Sequence, residues 1–510
     1  MSEADELPEG WAKANVPDLL AEPMANGRSV PDGDGFPVLR LTALRNGRID
    51  LRERKLGAWS KKDGERFAVR QGDFLVARGN GSLSLVGRGA MVMEEPDPVA
   101  YPDTTIRLRP RKDVFLPGYL RAVWDALETR HQIEAAAHTT AGIHKVSQQD
   151  LAAIELPVPP LPEQHRIVEH VEALLAQVNK AKDRLDRVKL ILKRFRQAVL
   201  AAACSGKLTE EWRSEHPELD PALRTVERLK SLHEPFGTDK RGNAAPPDDE
   251  AHDLDASVLP STWICTELLW LCEPGRPITY GILKPGPNQD GGVPYVRVAD
   301  FPAGVIKVAG VHRTTKKIAE AYKRSTLRTG DVLLSIRGTY GRICVVPPEL
   351  NGANITQDTA RLTIHESVNA AYIVMYLRSQ PVQNRMKRAA KGVAVHGVNI
   401  GDVRALQVAL PPLEEQVEIV RRVDALLTVA DVIEARLATA SSRAGKLPQA
   451  ILSKAFKGEL VPTEAELARA EGRSFESAAE MLKRVTSTRG EHEGKRVPRG
   501  RPGSTPGVTR

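Results

Sequence analysis

Apolar residues recur at alternating steps of four and three along two stretches of the chain. The first runs Ile167, Val171, Leu174, Val178, Ala181, Leu185, Val188, Leu192, Phe195, Val199; the second runs Ile419, Val423, Leu426, Ala430, Ile433, Leu437, Ala440, Ala444, Leu447, Ile451. A seven-residue repeat held for about five heptads is the pattern of a coiled coil rather than of an ordinary surface helix. At ~1.5 Å per residue, roughly forty residues make a rod of about 60 Å. One such helix fits any bundle, but two in one chain each supply the apolar stripe the other needs, which predicts an intramolecular pair. Its expected core is Ile167, Val171, Leu174, Val178, Leu185 and Leu192 with Ile419, Val423, Leu426, Ile433, Leu437 and Ile451. The second stripe is the weaker, with Ser441, Ser442 and Gly445 nearby, and Pro448 is expected to kink or restart its helix.

The two stretches are copies. Leu156-Pro157-Val158-Pro159-Pro160-Leu161-Pro162-Glu163-Gln164 falls without a gap on Val408-Ala409-Leu410-Pro411-Pro412-Leu413-Glu414-Glu415-Gln416, a shift of 252 residues (416 − 164). The same shift carries His144 onto His396, Asp150 onto Asp402, Gly206-Lys207-Leu208 onto Gly458-Glu459-Leu460, and Leu7-Pro8 with Trp11 onto Leu259-Pro260 with Trp263. A long internal repeat implies a pseudo-symmetric molecule. Between these anchors Gly35 to Leu41 resembles Gly292 to Val298, and Gly72 to Val76 resembles Gly330 to Leu334, with shifts that grow and then cancel. Loops have diverged there around a shared scaffold. Phe74 to Ala77, Val332 to Ile336 and Ile343 to Val346 read as strands, Leu116 to Thr129 and Ala370 to Met386 as helices. The chain then divides into an α+β domain over 7–142, a helical region over 143–208, a connector over 209–258, a second α+β domain over 259–394, a second helical region over 395–460, and a C-terminal stretch over 461–510. Within the connector 222–232 reads as helix and 242–255 as loose linker, and Glu480-Met481-Leu482-Lys483 echoes Glu227-Arg228-Leu229-Lys230. From about Thr486 the composition is that of a disordered basic tail.

A formal charge of +8 and a pI near 9.2 suit either a polyanionic partner or a merely basic protein. Cys204, Cys265, Cys272 and Cys344 have no metal-ligand spacing, and reduced thiols in a cytoplasmic protein are expected. No apolar run is long enough to span a bilayer. Phosphate loops, dinucleotide-binding glycine patterns, zinc spacings and nucleophile elbows are all missing from the sequence, as are the Asn-Pro-Pro-Tyr and Asp-Pro-Pro-Tyr boxes of amino-methyltransferases. His144 and His396 suit a fold-maintaining hydrogen bond better than acid–base work, and Asp150 and Asp402 a turn or cap.

The divergent domains offer groups suited to DNA. In the second, Ile278 to Gly286 is a glycine-containing loop with Tyr280 and Lys284; Arg313, Lys316, Lys317 and Arg324 cluster downstream, and Arg337, Thr339 and Tyr340 follow a strand end. In the first, Arg54, Lys55, Lys61 and Lys62 precede Arg78, Asn80 and Ser82. Lys and Arg neutralise phosphates whatever the sequence, whereas Arg, Asn, Gln, Ser and Thr on loops pair with base edges. Any single one is as well explained as a solvated charge; the clusters together favour DNA.

At the two Pro-Pro-Leu-x-Glu-Gln helices, each followed by Gly-x-Leu, the sequence resembles the specificity subunits of type I restriction-modification systems. The Ile278 to Gly286 loop and Asn354-Ile355-Thr356-Gln357-Asp358, with Asn354 and Gln357 as further DNA-contact candidates, resemble motifs of their target recognition domains. The likeness covers roughly residues 7 to 460. It implies two α/β target recognition domains separated by an antiparallel coiled coil, each reading half of a bipartite, asymmetric site in double-stranded DNA. It also implies partners: two methyltransferase subunits and two restriction/translocase subunits, which would hold S-adenosylmethionine, ATP and Mg, with no cofactor in this chain. The first domain departs at Met24-Ala25-Asn26-Gly27-Arg28-Ser29-Val30, where the second has the Ile278 loop. Two other classes compete: a free-standing methyltransferase or nuclease, excluded if the chain alone transfers no methyl group and cuts no DNA, and a protein-only coiled-coil scaffold, excluded by sequence-selective footprints of the assembled complex.

Overall fold

A computed structural model describes residues 7–140, 142–233, 259–302, 304–390 and 397–493. The linker expected over 242–255 and His396 lie outside the described residues. The chain forms two compact units, Met1–Leu185 with Thr439–Arg510, and Asp186–Ala438. Each of the two 44-residue helices, Leu161–Cys204 and Leu413–Phe456, is divided between them.

The first unit is built on a six-stranded sheet in the order Leu20–Asn26, Thr105–Pro110, Phe74–Ala77, Gly89–Met91, Arg48–Ile49, Leu44–Arg45. Phe74–Ala77 is buried along its whole length because helices Pro117–Trp124 and Leu127–Ala136 share its core, with Phe74 and Trp124 edge to face at 5.5 Å. An antiparallel ribbon, Ala12–Asn15 on Glu155–Val158, leads into the first long helix. The second unit repeats this frame with a four-stranded sheet, Thr279–Tyr280, Thr359–Leu362, Val332–Ser335, Ile343–Val345, and the ribbon Ile264–Glu267 on Gln407–Leu410. In both sheets the central strand opposes a Thr-x-Arg-Leu strand in identical register: Arg107 faces Leu75, and Arg361 faces Leu333. The helices expected over 116–129 and 370–386 each break in two, as Pro117–Trp124 and Leu127–Ala136, and Ala370–Arg378 and Gln380–Ala389.

The duplicated Pro-Pro-Leu-x-Glu-Gln motif is a pair of buried locks. Glu163 Oε1 accepts the Trp11 indole N–H at 2.9 Å, and Glu415 Oε2 accepts that of Trp263 at 2.9 Å; both carboxylates are fully buried. Gln164 Oε1 accepts from Leu116 N at 2.9 Å and Gln416 Oε1 from Asn369 N at 2.8 Å, pinning the start of the following helix pair. Tyr119 and Tyr372 close the lock by donating to Pro157 O and Ala409 O. These polar groups must be paired because water cannot reach them. Two residues past each long helix, Gly206 (φ 76°) and Gly458 (φ 75°) adopt the left-handed conformation that ends it. A Cβ there would sit 2.6 Å from Pro260 Cγ and 2.5 Å from Pro8 Cγ, so glycine is required twice over.

Each unit also contains a chain segment from just beyond a long helix. In the second, Glu415 Oε1 takes bonds from Thr209 Oγ1 (2.7 Å) and Arg213 Nη1 (2.5 Å), and Ala222, Val226 and Leu229 enter the core. In the first, Glu464 N donates to Glu163 Oε2 at 2.9 Å, and Val461, Ala478, Met481 and Val485 enter the core. Ala222 N bonds Thr262 O as Ala478 N bonds Gly10 O, so these two residues are equivalent, displaced by three from the alignment the sequence echo suggests. The helix expected to give way near Thr486 continues to Glu493.

Within the second unit the half-helices run antiparallel. Arg196 bonds Asp431 and Glu434 at 2.6 and 2.7 Å, whereas Leu208 O, farther along, takes a bond from the earlier Arg422. The first unit has the same sense, Arg166 pairing with Glu464 beyond the second helix while Ile167 and Val171 share a core with Leu452 and Ala455. Ile167, Val171, Val178, Leu192, Ile419, Val423 and Leu437 are buried, and Leu174, Leu185, Leu426 and Ile451 half-buried. Ile433 departs from expectation at 40% exposed, on a stretch where Asp431 and Glu434 pair with Arg196 of the first long helix. Pro448 does not restart its helix. Burial of Leu452, Ala455 and Phe456 in the turns beyond it offsets a cost of about 3 kcal/mol.

Candidate nucleic-acid interface

In the second unit three segments are tied into one surface. The Ile278 loop is fixed to the Asn354 stretch by Ile282 N on Ile355 O (2.7 Å) and Gln357 N on Ile282 O (3.0 Å). The continuation of that loop is fixed to strand Arg313–Thr314 by Thr314 Oγ1 on Pro285 O (2.7 Å) and Arg313 N on Asn288 Oδ1 (2.8 Å). That strand leads directly into helix Lys316–Ala321, N-capped by Thr315. Tyr280, Lys284, Arg313, Lys316, Lys317 and Arg324 are all exposed on these segments, and half-buried Gln357 lies on the stretch that ties them.

The first unit builds the same loop frame with other side chains. Arg28 bridges Pro102 as Ile282 bridges Thr356, and Asn26 occupies the strand position of Tyr280. Gly27 and Gly281 are equivalent: a Cβ on either would collide with the backbone carbonyl of Pro102 or Ile355. So the Met24 to Val30 stretch, unlike the Ile278 loop by sequence, has its backbone path. Beside it a groove of about 740 Å³ is lined by Arg28, Arg40, Thr42 and Lys55, with Asp32 and Glu53 among them. Lys55 Nζ is committed to Asp32 at 2.6 Å and to Val30 O, and that bond draws the Asp32 carboxyl below its ordinary range.

A family model, the type I restriction modification DNA specificity domain, matches residues 35–190 and again 282–440. The chain belongs to this family. It is 33% identical over 389 residues to the EcoBI specificity subunit of Escherichia coli, covering 75% of this chain and 72% of that one. To the EcoKI specificity subunit of Escherichia coli strain K12 it is 29% identical, covering 97% and 99%. The fold is that of an HsdS subunit from Thermoanaerobacter tengcongensis, with a TM-score of 0.54 at 22% identity over 90% of this chain and all of that one. This is therefore a specificity subunit, a DNA-recognition rather than a catalytic component, working with other subunits of a type I complex.

The specificity subunit's remaining DNA-contact candidates fall unevenly. Arg54, Lys61 and Lys62 are exposed on the ribbon and helix that follow Asp32–Leu39. Arg78 is half-buried with Nη1 on Asp103 O, Asn80 spends its carbonyl on Ser82 N, and Ser82 is exposed. Arg337 and Thr339 are exposed and Tyr340 half-buried. The shared Arg-Gly matches Arg78 with Arg337, but the shift that carries Gly72 onto Gly330 carries Arg78 onto Ile336, and the backbone follows that shift: Val146 N bonds Arg78 O as Val398 N bonds Ile336 O. Arg337 thus corresponds to Gly79, and a one-residue offset on a strand reverses the face.

Asn354 is a correction. It is 1% exposed, accepts the Ser325 hydroxyl, and donates to Ala319 O and Tyr322 O, so it cannot touch DNA; it anchors the basic helix from beneath. His144 makes a hydrogen bond to Thr139 Oγ1, and Asp150 and Asp402 close capping boxes. Arg28 and Arg40 were hidden from sequence reasoning because neither stands in a basic cluster. The duplicated Thr-x-Arg-Leu was a readable signal, though its arginines are buried: Arg361 bonds Pro277 O, and Arg107 pairs with Glu22. Burial pushes the Cys204, Cys272 and Cys344 thiols up to about 12, which keeps them protonated and inert. Among the described residues no acidic, His or Cys group could hold a metal, and no helix is long and apolar enough to cross a membrane.

Proposed function

We propose that each unit reads one half of a bipartite, asymmetric DNA site, and that the long helices carry two methyltransferase and two restriction/translocase subunits, in which S-adenosylmethionine, ATP and Mg reside. One observation carries this reading: the locks repeat residue for residue, Trp11–Glu163 as Trp263–Glu415, while the loops on the same frame present Asn26 and Arg28 in one unit and Tyr280 and Ile282 in the other. A repeated scaffold with unlike loops suits two like docking faces and two unlike readers. Exposed Leu190, Ile191, Val429 and Val432 on the long helices give a partner apolar surface to cover.

Exchange of residues 7–142 for those of another family member tests it. Footprinting of the assembled complex should show one half-site changed and the other kept; a change in both halves refutes modular reading. Leu190→Lys with Val429→Lys should abolish partner assembly while leaving the melting temperature of the free chain within roughly a degree or two, as surface substitutions do.

A further inference from the structure

The groove of about 740 Å³ in the first unit carries formal charges that cancel: Arg28, Arg40 and Lys55 line it, and so do Asp32, Glu53 and Asp103. A phosphate there would meet as many anions as cations, so the groove suits the DNA backbone poorly. The mixed donors and acceptors of base edges suit it better. Its cations are not equivalent. Lys55 Nζ is bonded to Asp32, whose charge Arg40 also stabilises, and Glu53 takes the Thr42 hydroxyl and the Arg45 guanidinium. Among the described residues the Arg28 guanidinium has no hydrogen-bond or ion-pair partner, and Arg28 is exposed. Its backbone is nonetheless firmly held: Arg28 bridges Pro102, Gly27 N donates to Thr105 O at 3.3 Å, and a Cβ on Gly27 would stand 2.1 Å from Pro102 O. A planar fork of donors, uncommitted and carried on a fixed backbone, costs little to organise on binding. At the equivalent position of the second unit Ile282 is fully buried, so that unit extends nothing from there.

We propose that Arg28 reads a guanine in the major groove of the half-site bound by the first unit, donating to its O6 and N7. The inference rests on the two-reader reading above and adds the base that one reader selects. Guanine is the base whose major-groove edge presents two acceptors side by side, which a guanidinium fork matches with two parallel bonds; adenine sets a donor beside its N7 and would oppose one arm of the fork.

The test compares assembled complexes carrying wild-type or Arg28→Gln chain, first on duplexes selected from a randomised library and then on the same duplexes with 7-deazaguanine, which lacks the N7 acceptor. Because Arg28 is exposed and bonded to nothing, the variant should fold as the wild type does. Wild type should select a guanine in one half-site that Arg28→Gln no longer requires, with discrimination against other bases there reduced about 5- to 150-fold. 7-Deazaguanine at that position should weaken the wild type and leave Arg28→Gln unaffected, while the other half-site keeps its sequence in both. A variant that selects the wild-type sequence but binds every duplex more weakly, with a salt slope lower by about 1, marks a phosphate contact and overturns the proposal. Unchanged sequence and unchanged affinity overturn it as well, and both results leave the two-reader reading standing. Relaxed selection in both half-sites refutes the two-reader reading, and with it the assignment of Arg28 to one half.

Discussion

Glu415 carries more than its counterpart Glu163, and the difference is measurable. Its carboxylate, fully buried, takes the Trp263 indole, the Thr209 hydroxyl and the Arg213 guanidinium, all within 2.9 Å. Glu415→Ala strands a partly buried cation and two neutral donors. Breaking a buried pair by removing one partner costs about 3–5 kcal/mol. Arg213→Ala leaves the carboxylate two donors and should cost about 1–3 kcal/mol. Glu163 takes only neutral donors, Trp11 Nε1 and Glu464 N, and Glu163→Ala should stay near 1–3 kcal/mol. Urea unfolding of the four chains, with hydrogen exchange over residues 209–232, reads both the energies and their place. The Glu415→Ala, Arg213→Ala double variant should be more stable than the sum of its parts by about 0.5–3 kcal/mol, because the stranded cation is gone. Strict additivity, or equal losses for Glu415→Ala and Glu163→Ala, would refute the argument that charge distinguishes the two locks.

Gly458→Ala should destabilise by about 1–2 kcal/mol through positive φ and the clash with Pro8, whereas Gly445→Ala, inside the second helix and facing open space, should stabilise by about 1 kcal/mol; thermal melts of the pair check both signs. Lys316→Ala with Lys317→Ala should lower the slope of log affinity against log salt by about 1 for each phosphate no longer neutralised, while Asn354→Ala should instead lower thermal stability by about 1–3 kcal/mol as the basic helix loses its anchor. Burial alone would raise the Glu464 carboxyl, but its bonds to Arg473 and Arg166 hold it below its ordinary 4.5. With the folded-state value depressed, this stabilisation is fully present above the ordinary 4.5 and is lost as the pH falls from there through the folded-state value. Hydrogen-exchange protection of residues 461–485 should therefore fall before that of the central strands, and protection that rises on acidification would contradict the sign.

The repeat, the two long helices and the recurrence of Leu-Pro and Gly-x-Leu were written in the sequence, because each depends on periodicity or on identity at a fixed spacing. Residues fixed by buried geometry, such as Glu163, Glu415 and the two Trp, keep their chemistry in both copies and so stay visible. The positions that face outward do not repeat, and there the sequence misled. Arg78 and Arg337 look like partners, yet backbone bonds set them one residue apart. Ile433 fits the heptad but is left exposed. Asn354 looks like a reader and is a support. Conversely, Met24 to Val30 and Ile278 to Lys284 share almost nothing as strings, and it takes the strand pairing and the glycine wedged against a carbonyl in each to show that they trace one path. Local patterning thus specified the scaffold; which side chains the scaffold exposes was decided by register and packing between strands far apart in the chain, a relation that no stretch of sequence contains by itself.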